Sequence, residues 1–331
     1  MKSSVSEQAF FQLVAPDLAQ LQEVVFKELE NYEPELVSSA THLMKAGGKR
    51  LRPLMVLLAA RASNPEHHDD LSHKHHLLAM AVEILHTATL IHDDIIDASD
   101  TRRGLPTVNH KWGLRTSVLT GDFLLARSCY YISMIEKVRL NTIFSQMVMD
   151  MCNGEMTQLR RRYSTDFSLD EYVDQIRRKT ALLMAVGCQG AAIINDTSET
   201  VEKALYTYGH DVGIAFQIMD DMLDFTQSSQ DLGKSAHNDL IQGQVTLPTF
   251  YALQSSPHAE ELKAIIASKT EDPERLESAL QIVTDSDALE RCEAEANRYL
   301  QQAIQALDAL PQSPSREALV ELAHFCVHRS Q

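Results

Sequence analysis

Tryptophan occurs once in 331 residues, aromatic side chains make up only 6% and glycine fills only 12 positions. So few glycines disfavour sandwiches and barrels, which need many tight turns. No stretch approaches the roughly 20 uninterrupted apolar residues of a membrane span. The opening MKSSVSEQAF has no apolar run of the signal-peptide kind. Basic charge is in deficit: 46 acidic residues against 30 lysines and arginines give a net charge of −16, the wrong sign for gripping nucleic acid. The five cysteines, Cys129, Cys152, Cys188, Cys292 and Cys326, form no CxxC pair. They are expected as reduced, mostly buried thiols in a cytoplasmic protein.

Apolar residues, by contrast, reach 44%, enough for a large core. Leu/Ala/Met/Glu/Gln-rich stretches predict helices throughout. The length alone would fit two domains at roughly 100–200 residues each. No interior linker interrupts the chain, so the reading is a single all-α domain over residues 1–331. Helical spacing runs from about Pro16 to Met44 and stops at Ala46-Gly47-Gly48. A second run, Leu54 to Ala62, follows Pro53, which suits a first turn. Ser63 to His76 is polar, and its five histidines read as a loop rather than a metal site. Leu77 to Asp97 is apolar nearly all round and predicts a central buried helix. Further helices are expected from Ser117 into the 130s, Asn141 to Arg162, Leu169 to Ile194 and Glu199 to Phe225. A break follows at Asp231-Leu232-Gly233 and a turn at Leu247-Pro248, with amphipathic surface helices beyond.

Two of these helices carry acidic clusters. In His92-Asp93-Asp94-Ile95-Ile96-Asp97 the outer aspartates lie one helical turn apart and project together. Asp220-Asp221-Met222-Leu223-Asp224 repeats the spacing. Isolated, either cluster would read as a solvated helix face. Leu90, Ile91, Ile95 and Ile96 flank the first, and Ile214, Phe216, Ile218, Met219 and Leu223 the second. Carboxylates in such company are costly unless paired or bound to a cation. Clustered oxygen donors suit Mg²⁺, which keeps waters and bridges to phosphates. Basic motifs match them. Gly47-Gly48-Lys49-Arg50-Leu51-Arg52-Pro53 sets close-approach glycines beside three cations, and Arg102-Arg103-Gly104 follows the first cluster. Arginine forks fit phosphate oxygens.

In this order, GGKRLRP, HTATLIHDDIID, RRG, GDFLLAR, NGE, KTA, FQIMDDMLD, DLGK and REALVELAHFCVHR, the chain resembles the trans-isoprenyl diphosphate synthases, and most of all their bacterial long-chain, octaprenyl-type members. The resemblance implies an isoprenoid-synthase bundle of about ten or more helices around a central cavity. It implies that Lys49, Arg52, His86 and Arg103 hold the diphosphate of isopentenyl diphosphate. Asp93, Asp97, Asp220 and Asp224 would bind Mg²⁺, with Asp94 and Asp221 in support. Lys179, Thr180 and Gln217 are implied as catalytic, surrounding the allylic diphosphate together with Arg102 and Lys234. Ala88 and Thr89, one turn before Asp93, stand where shorter-chain relatives commonly carry an aromatic residue. Both are small, which implies an open path for the tail and an octaprenyl (C40) product, with a floor deeper down at residues such as Ile132 or Phe144. A homodimer and a quinone-tail product are implied likewise.

The chain departs from the family pattern at GKSAHNDLIQGQVTLP, where His237, Gln242 and Gln244 replace the usual Gly, Glu and Lys. Two rival readings are weaker. His92-Asp93 resembles the pair of metal-dependent phosphohydrolases, but those need further histidine ligands. Non-catalytic partner subunits typically lose acidic motifs, and both are present here.

Overall fold

A computed structural model describes residues 8–45, 47–64, 71–226 and 238–328. The architecture is all-α, as expected. In chain order the helices are α1 (Ala9–Gln12), α2 (Ala15–Leu29), α3 (Pro34–Lys45), α4 (Leu51–Ala62), α5 (His73–Ile96), α6 (Val108–Met134), α7 (Val138–Arg161), α8 (Leu169–Ile176), α9 (Leu182–Ile194), α10 (Glu199–Thr226), α11 (Asn238–Ile241), α12 (Leu247–Ser255), α13 (Ala259–Ala267), α14 (Pro273–Thr284), α15 (Ala288–Ala306) and α16 (Pro314–His328). A π-helical turn, Arg177–Ala181, joins α8 to α9. A two-stranded antiparallel hairpin, β1 (Thr101–Arg102) and β2 (Leu105–Pro106), separates α5 from α6.

The described residues of Met1–Gln146, Leu183–Gly209 and Ile304–Ala323 form one compact unit, and those of Met147–Leu182, His210–Ala303 and His324–Gln331 a second. The first is built on α4 and α5. Both are buried along nearly their whole length, α4 from Leu51 through Ala60 apart from Arg52, and α5 on all sides from Leu77 to Leu85 apart from Glu83. At about 1.5–3 kcal/mol for each large apolar side chain removed from water, these two helices contribute a large share of that unit's stability. The second unit buries Ile214, Ile218 and Met222 of α10 together with Tyr172 and Ile176 of α8.

Several boundaries differ from the expectation. The Pro16–Met44 segment is two helices, because Pro34 opens α3 and disfavours helical backbone in the residue before it. Pro53 does sit in the first turn of α4. The polar segment ends as a helix. His73, His75 and His76 lie in the first turn of α5, where His75 Nδ1 accepts from the Ser72 N–H at 3.1 Å. His67 and His68 lie outside the described residues, as do Asp231-Leu232-Gly233, Lys234 and His237. α6 begins at Val108, well before Ser117, and bends at Gly113 (φ 82°). Of the five free cysteines, Cys188, Cys292 and Cys326 are buried and Cys129 and Cys152 exposed.

Candidate active site

The first acidic cluster stands at the C-terminal end of α5. Asp97 is the capping residue, its N–H donating to Asp93 O at 2.8 Å. This end of a helix carries its negative partial charge, so three carboxylates here call for cations. Asp94 is 1% exposed, and its Oδ1 accepts from Arg102 Nε at 2.7 Å. Asp93 and Asp97 are half-buried. The backbone then turns through Ala98 (φ 49°), and Ser99 N returns to Asp94 O at 3.0 Å. Gly121, the glycine of GDFLLAR, leaves room for His92: a Cβ there would lie 2.1 Å from His92 Nε2.

The hairpin places the two arginines. Arg103 and Gly104 form its two-residue loop with φ of 53° and 73°, both positive, as a tight hairpin turn requires. Arg102, on the strand, goes to Asp94. Arg103, at the tip, donates to Gly47 O, and a Cβ on Gly48 would meet its guanidinium at 2.9 Å. Close approach thus requires glycine at position 48, whereas a Cβ on Gly47 would meet nothing within 4 Å and its glycine serves the positive φ of 84°. Arg52, in the first turn of α4, donates to His86 Nε2 at 3.2 Å. Burial, and then the charges of Arg52, Arg103, Arg102 and Arg50, hold His86 well below the usual histidine range. The ring is thus neutral and accepts. Lys49 is exposed. Arg50 is drawn away to Glu83 and to Met44 O. Ala88 is buried and Thr89 half-buried, the latter donating to His86 O at 2.9 Å. Ile132 and Phe144 are both 1% exposed.

In the second unit a chain of hydrogen bonds runs through the implied catalytic residues. Thr180 Oγ1 donates to Gln217 Oε1 at 2.6 Å, and Gln217 Nε2 to Asp221 Oδ1 at 2.8 Å. Tyr172 donates to Asp221 Oδ2 at 2.7 Å. Burial pushes the Asp221 carboxyl up to about 7; Gln217 and Tyr172 pull it down, Asp220 pushes it up and Lys179 pulls it down. Asp220 is exposed and Asp224 half-buried. The N–H of Asp239 donates to Asp224 Oδ2 at 3.2 Å.

The π turn carries Lys179 and Thr180, and such turns often mark functional positions. Lys179 Nζ donates to Gln158 Oε1 at 3.1 Å and lies 3.7 Å from Glu155. Gly154 permits this packing, since a Cβ there would sit 2.6 Å from Arg178 Cβ. Glu155 and Gln158 escaped the sequence reading of roles. The NGE motif was a signal for Glu155 alone, and the partner of both is 21 or more residues away. Gln244, where the family has lysine, donates to Gln242 Oε1 at 2.9 Å.

The two clusters share one logic. In each, the second aspartate is buried and held by protein donors, while the aspartates at the first and fifth positions stand more accessible. Oxygen-only donors four residues apart fit a hard divalent cation that keeps waters and takes its other ligands from phosphate. Among the described residues no three or more His, Cys, Asp or Glu side chains converge on a common point where a metal could sit.

The profile of the polyprenyl synthetase family matches residues 33–283. The chain is 41% identical to heptaprenyl diphosphate synthase component 2 of Geobacillus stearothermophilus over 319 residues, 96% of this chain and 97% of that one. It is 36% identical to the chloroplastic solanesyl diphosphate synthase 2 of Arabidopsis thaliana over 329 residues, 99% of this chain and 78% of that one. The structure of a polyprenyl synthase from Caulobacter crescentus, complexed with calcium and isoprenyl diphosphate, superposes with a TM-score of 0.91 at 33% identity, covering 99% and 98% of the two chains. The fold is thus of the isoprenoid synthase type, and the chain belongs to the polyprenyl synthetase family, the trans-isoprenyl diphosphate synthases, as a prenyl-transferring enzyme.

Proposed function

We propose that this chain, as one polyprenyl synthase domain, adds isopentenyl diphosphate units to an allylic diphosphate, farnesyl diphosphate in the first instance. Its product is a long-chain all-trans polyprenyl diphosphate for a quinone side chain. The observation that carries the reading is the shared build of the two aspartate clusters, with Asp94 and Asp221 locked inward and Asp93, Asp97, Asp220 and Asp224 as the candidate ligands. The cation is Mg²⁺, which when bound would neutralise charge developing on the departing diphosphate. Lys179, Thr180 and Gln217, with Arg102 and Lys234, bind and orient the allylic diphosphate so that its C–O bond breaks to an allylic cation. Lys49, Arg52, neutral His86 and Arg103 hold isopentenyl diphosphate, whose double bond attacks that cation. The proton lost from the new carbon chain passes to the departing diphosphate. Apolar neighbours such as Ile91 exclude the water that would quench the cation.

Octaprenyl is the product we assign within the C35–C50 range, on the small side chains of Ala88 and Thr89. Incubation of the purified chain with Mg²⁺, farnesyl diphosphate and labelled isopentenyl diphosphate tests the whole reading. The expected result is a single lipid-soluble product that co-elutes, after dephosphorylation, with octaprenol. Free phosphate with no lipid-soluble label would overturn it.

The relative named a component 2 supports a second reading, in which the chain works with another subunit rather than as a homodimer. Both acidic clusters are present, so we assign activity to the chain alone, as a cytoplasmic homodimer. Size-exclusion chromatography coupled to light scattering, run with the activity assay, decides between them. A monomer inactive alone supports the two-component reading.

A further inference from the structure

The first unit carries a groove that none of the assigned roles uses. Ser38, Thr41, His42 and Lys45 of α3, Leu105 of β2, and Lys111 and Trp112 of α6 line a space of about 290 Å³, near the lower end of ligand pockets at roughly 300–1,000 Å³. Its walls are fixed. His42 Nε2 hydrogen-bonds Pro106 O at 2.8 Å, so the ring donates there and ties α3 to the hairpin. The same ring packs edge-on to Trp112 at 5.0 Å between centroids. Thr41 is turned inward and donates to Val37 O at 2.8 Å.

The cations are what distinguish this groove. Lys45 and Lys111 are both exposed, and neither takes part in an ion pair among the described residues. They lie over aromatic rings instead, Lys111 4.4 Å from the Trp112 centroid and Lys45 5.7 Å from that of Phe26. No carboxylate is among the residues that line the groove. On a chain of net charge −16, two ammonium groups and the Ser38 hydroxyl gathered around one concavity form a local site of opposite sign. A ring face under each ammonium restrains its stem without satisfying its hydrogen-bond donors.

We propose that this groove binds a phosphate group, with Lys45 and Lys111 as its cations and Ser38 as its hydroxyl donor. The bearer is either a small soluble phosphate or the headgroup of an anionic phospholipid. The inference does not depend on the prenyl-transfer reading.

Trp112 is the only tryptophan in the chain, so its emission reports on this groove alone. The full-length protein without Mg²⁺ is titrated with inorganic phosphate, then separately with vesicles of phosphatidylcholine alone and with added phosphatidylglycerol. The same titrations are run on the Lys45→Gln/Lys111→Gln variant. Both lysines are exposed, so the variant is expected to fold and to retain prenyl-transfer activity. A saturable emission change with phosphate, weakened about tenfold or more in the variant, assigns a soluble phosphate; one tenfold step corresponds to about 1.4 kcal/mol. A change with the phosphatidylglycerol vesicles only, likewise lost in the variant, assigns the lipid headgroup. No change with any probe, or an equal response in the variant, overturns the proposal.

Discussion

The Tyr172 hydroxyl donates to Oδ2 of Asp221 at 2.7 Å, while Gln217 holds the other oxygen at 2.8 Å. Both sides of this buried carboxylate are thereby fixed, and with it the start of the turn that carries Asp220 and Asp224. Tyr172→Phe should cost about 1–3 kcal/mol of stability, as for a buried acceptor that loses its partner. It should also raise the Mg²⁺ concentration giving half-maximal activity. Urea unfolding and a Mg²⁺ titration check the two effects. No change in either would mean that Tyr172 does not position Asp221.

Asp93→Ala and Asp220→Ala should each lower kcat by at least about 10²–10³-fold, the scale on which a lost electrostatic element at a reacting centre is felt. Both positions are more accessible than their buried neighbours, so circular dichroism should show an intact helical fold. Wild-type turnover in either purified variant refutes the metal role.

Arg52→Ala removes a cation from the isopentenyl diphosphate set and the donor to His86. KM for isopentenyl diphosphate should rise about tenfold or more, with a smaller change in kcat. A rise confined to the allylic KM would mean that the two pockets are assigned the wrong way round.

Ala88→Phe places a ring at a position only 1% exposed. Overpacking should cost about 1–3 kcal/mol, and the product should shorten toward fifteen to twenty carbons while condensation continues. Reverse-phase chromatography of dephosphorylated products reads the length. An active variant that still makes the long product removes Ala88 from the tail's path.

His75 links stability to pH. Burial holds its pKa down to about 4, against 6.5 for the unperturbed ring. Its Nδ1 accepts from the Ser72 N–H, so protonation breaks the start of α5. Below pH 6.5 the unfolded chain binds a proton that the folded chain refuses, so stability is full above 6.5 and falls as the pH drops toward 4. His75→Gln should flatten this part of the curve, as measured by urea midpoints between pH 7 and pH 4.5. An equal slope in both proteins counts against the assignment.

The helices were legible because their apolar spacing is long and nearly uninterrupted, as in α5 and α10. The aspartate clusters were legible because four-residue spacing is a local property, and Gly48 because a glycine beside cations marks a place of close approach. What holds the second aspartate of each cluster was not legible: Arg102 is eight residues from Asp94, but Tyr172 is 49 from Asp221. The π turn leaves no local mark either. RRKTA reads as ordinary helix, and what distinguishes it is the backbone bond from Leu182 N–H to Arg177 O, five residues back. The break between α2 and α3 is written in Pro34, although the helical periodicity runs on across it.

The loop of the β1–β2 hairpin asks for a residue at ease with positive φ, and asparagine or glycine would fill position 103 with less strain. Arginine stands there instead, at φ 53°. The turn thus gives up conformational ease so that a guanidinium can reach the glycines at 47 and 48. The two-residue loop also acts as a ruler: one residue more would shift Arg102 off its line to Asp94 and lift Arg103 from the tip in the same step. At this corner of the molecule the spacing of the chain is as much a part of the chemistry as the side chains it carries.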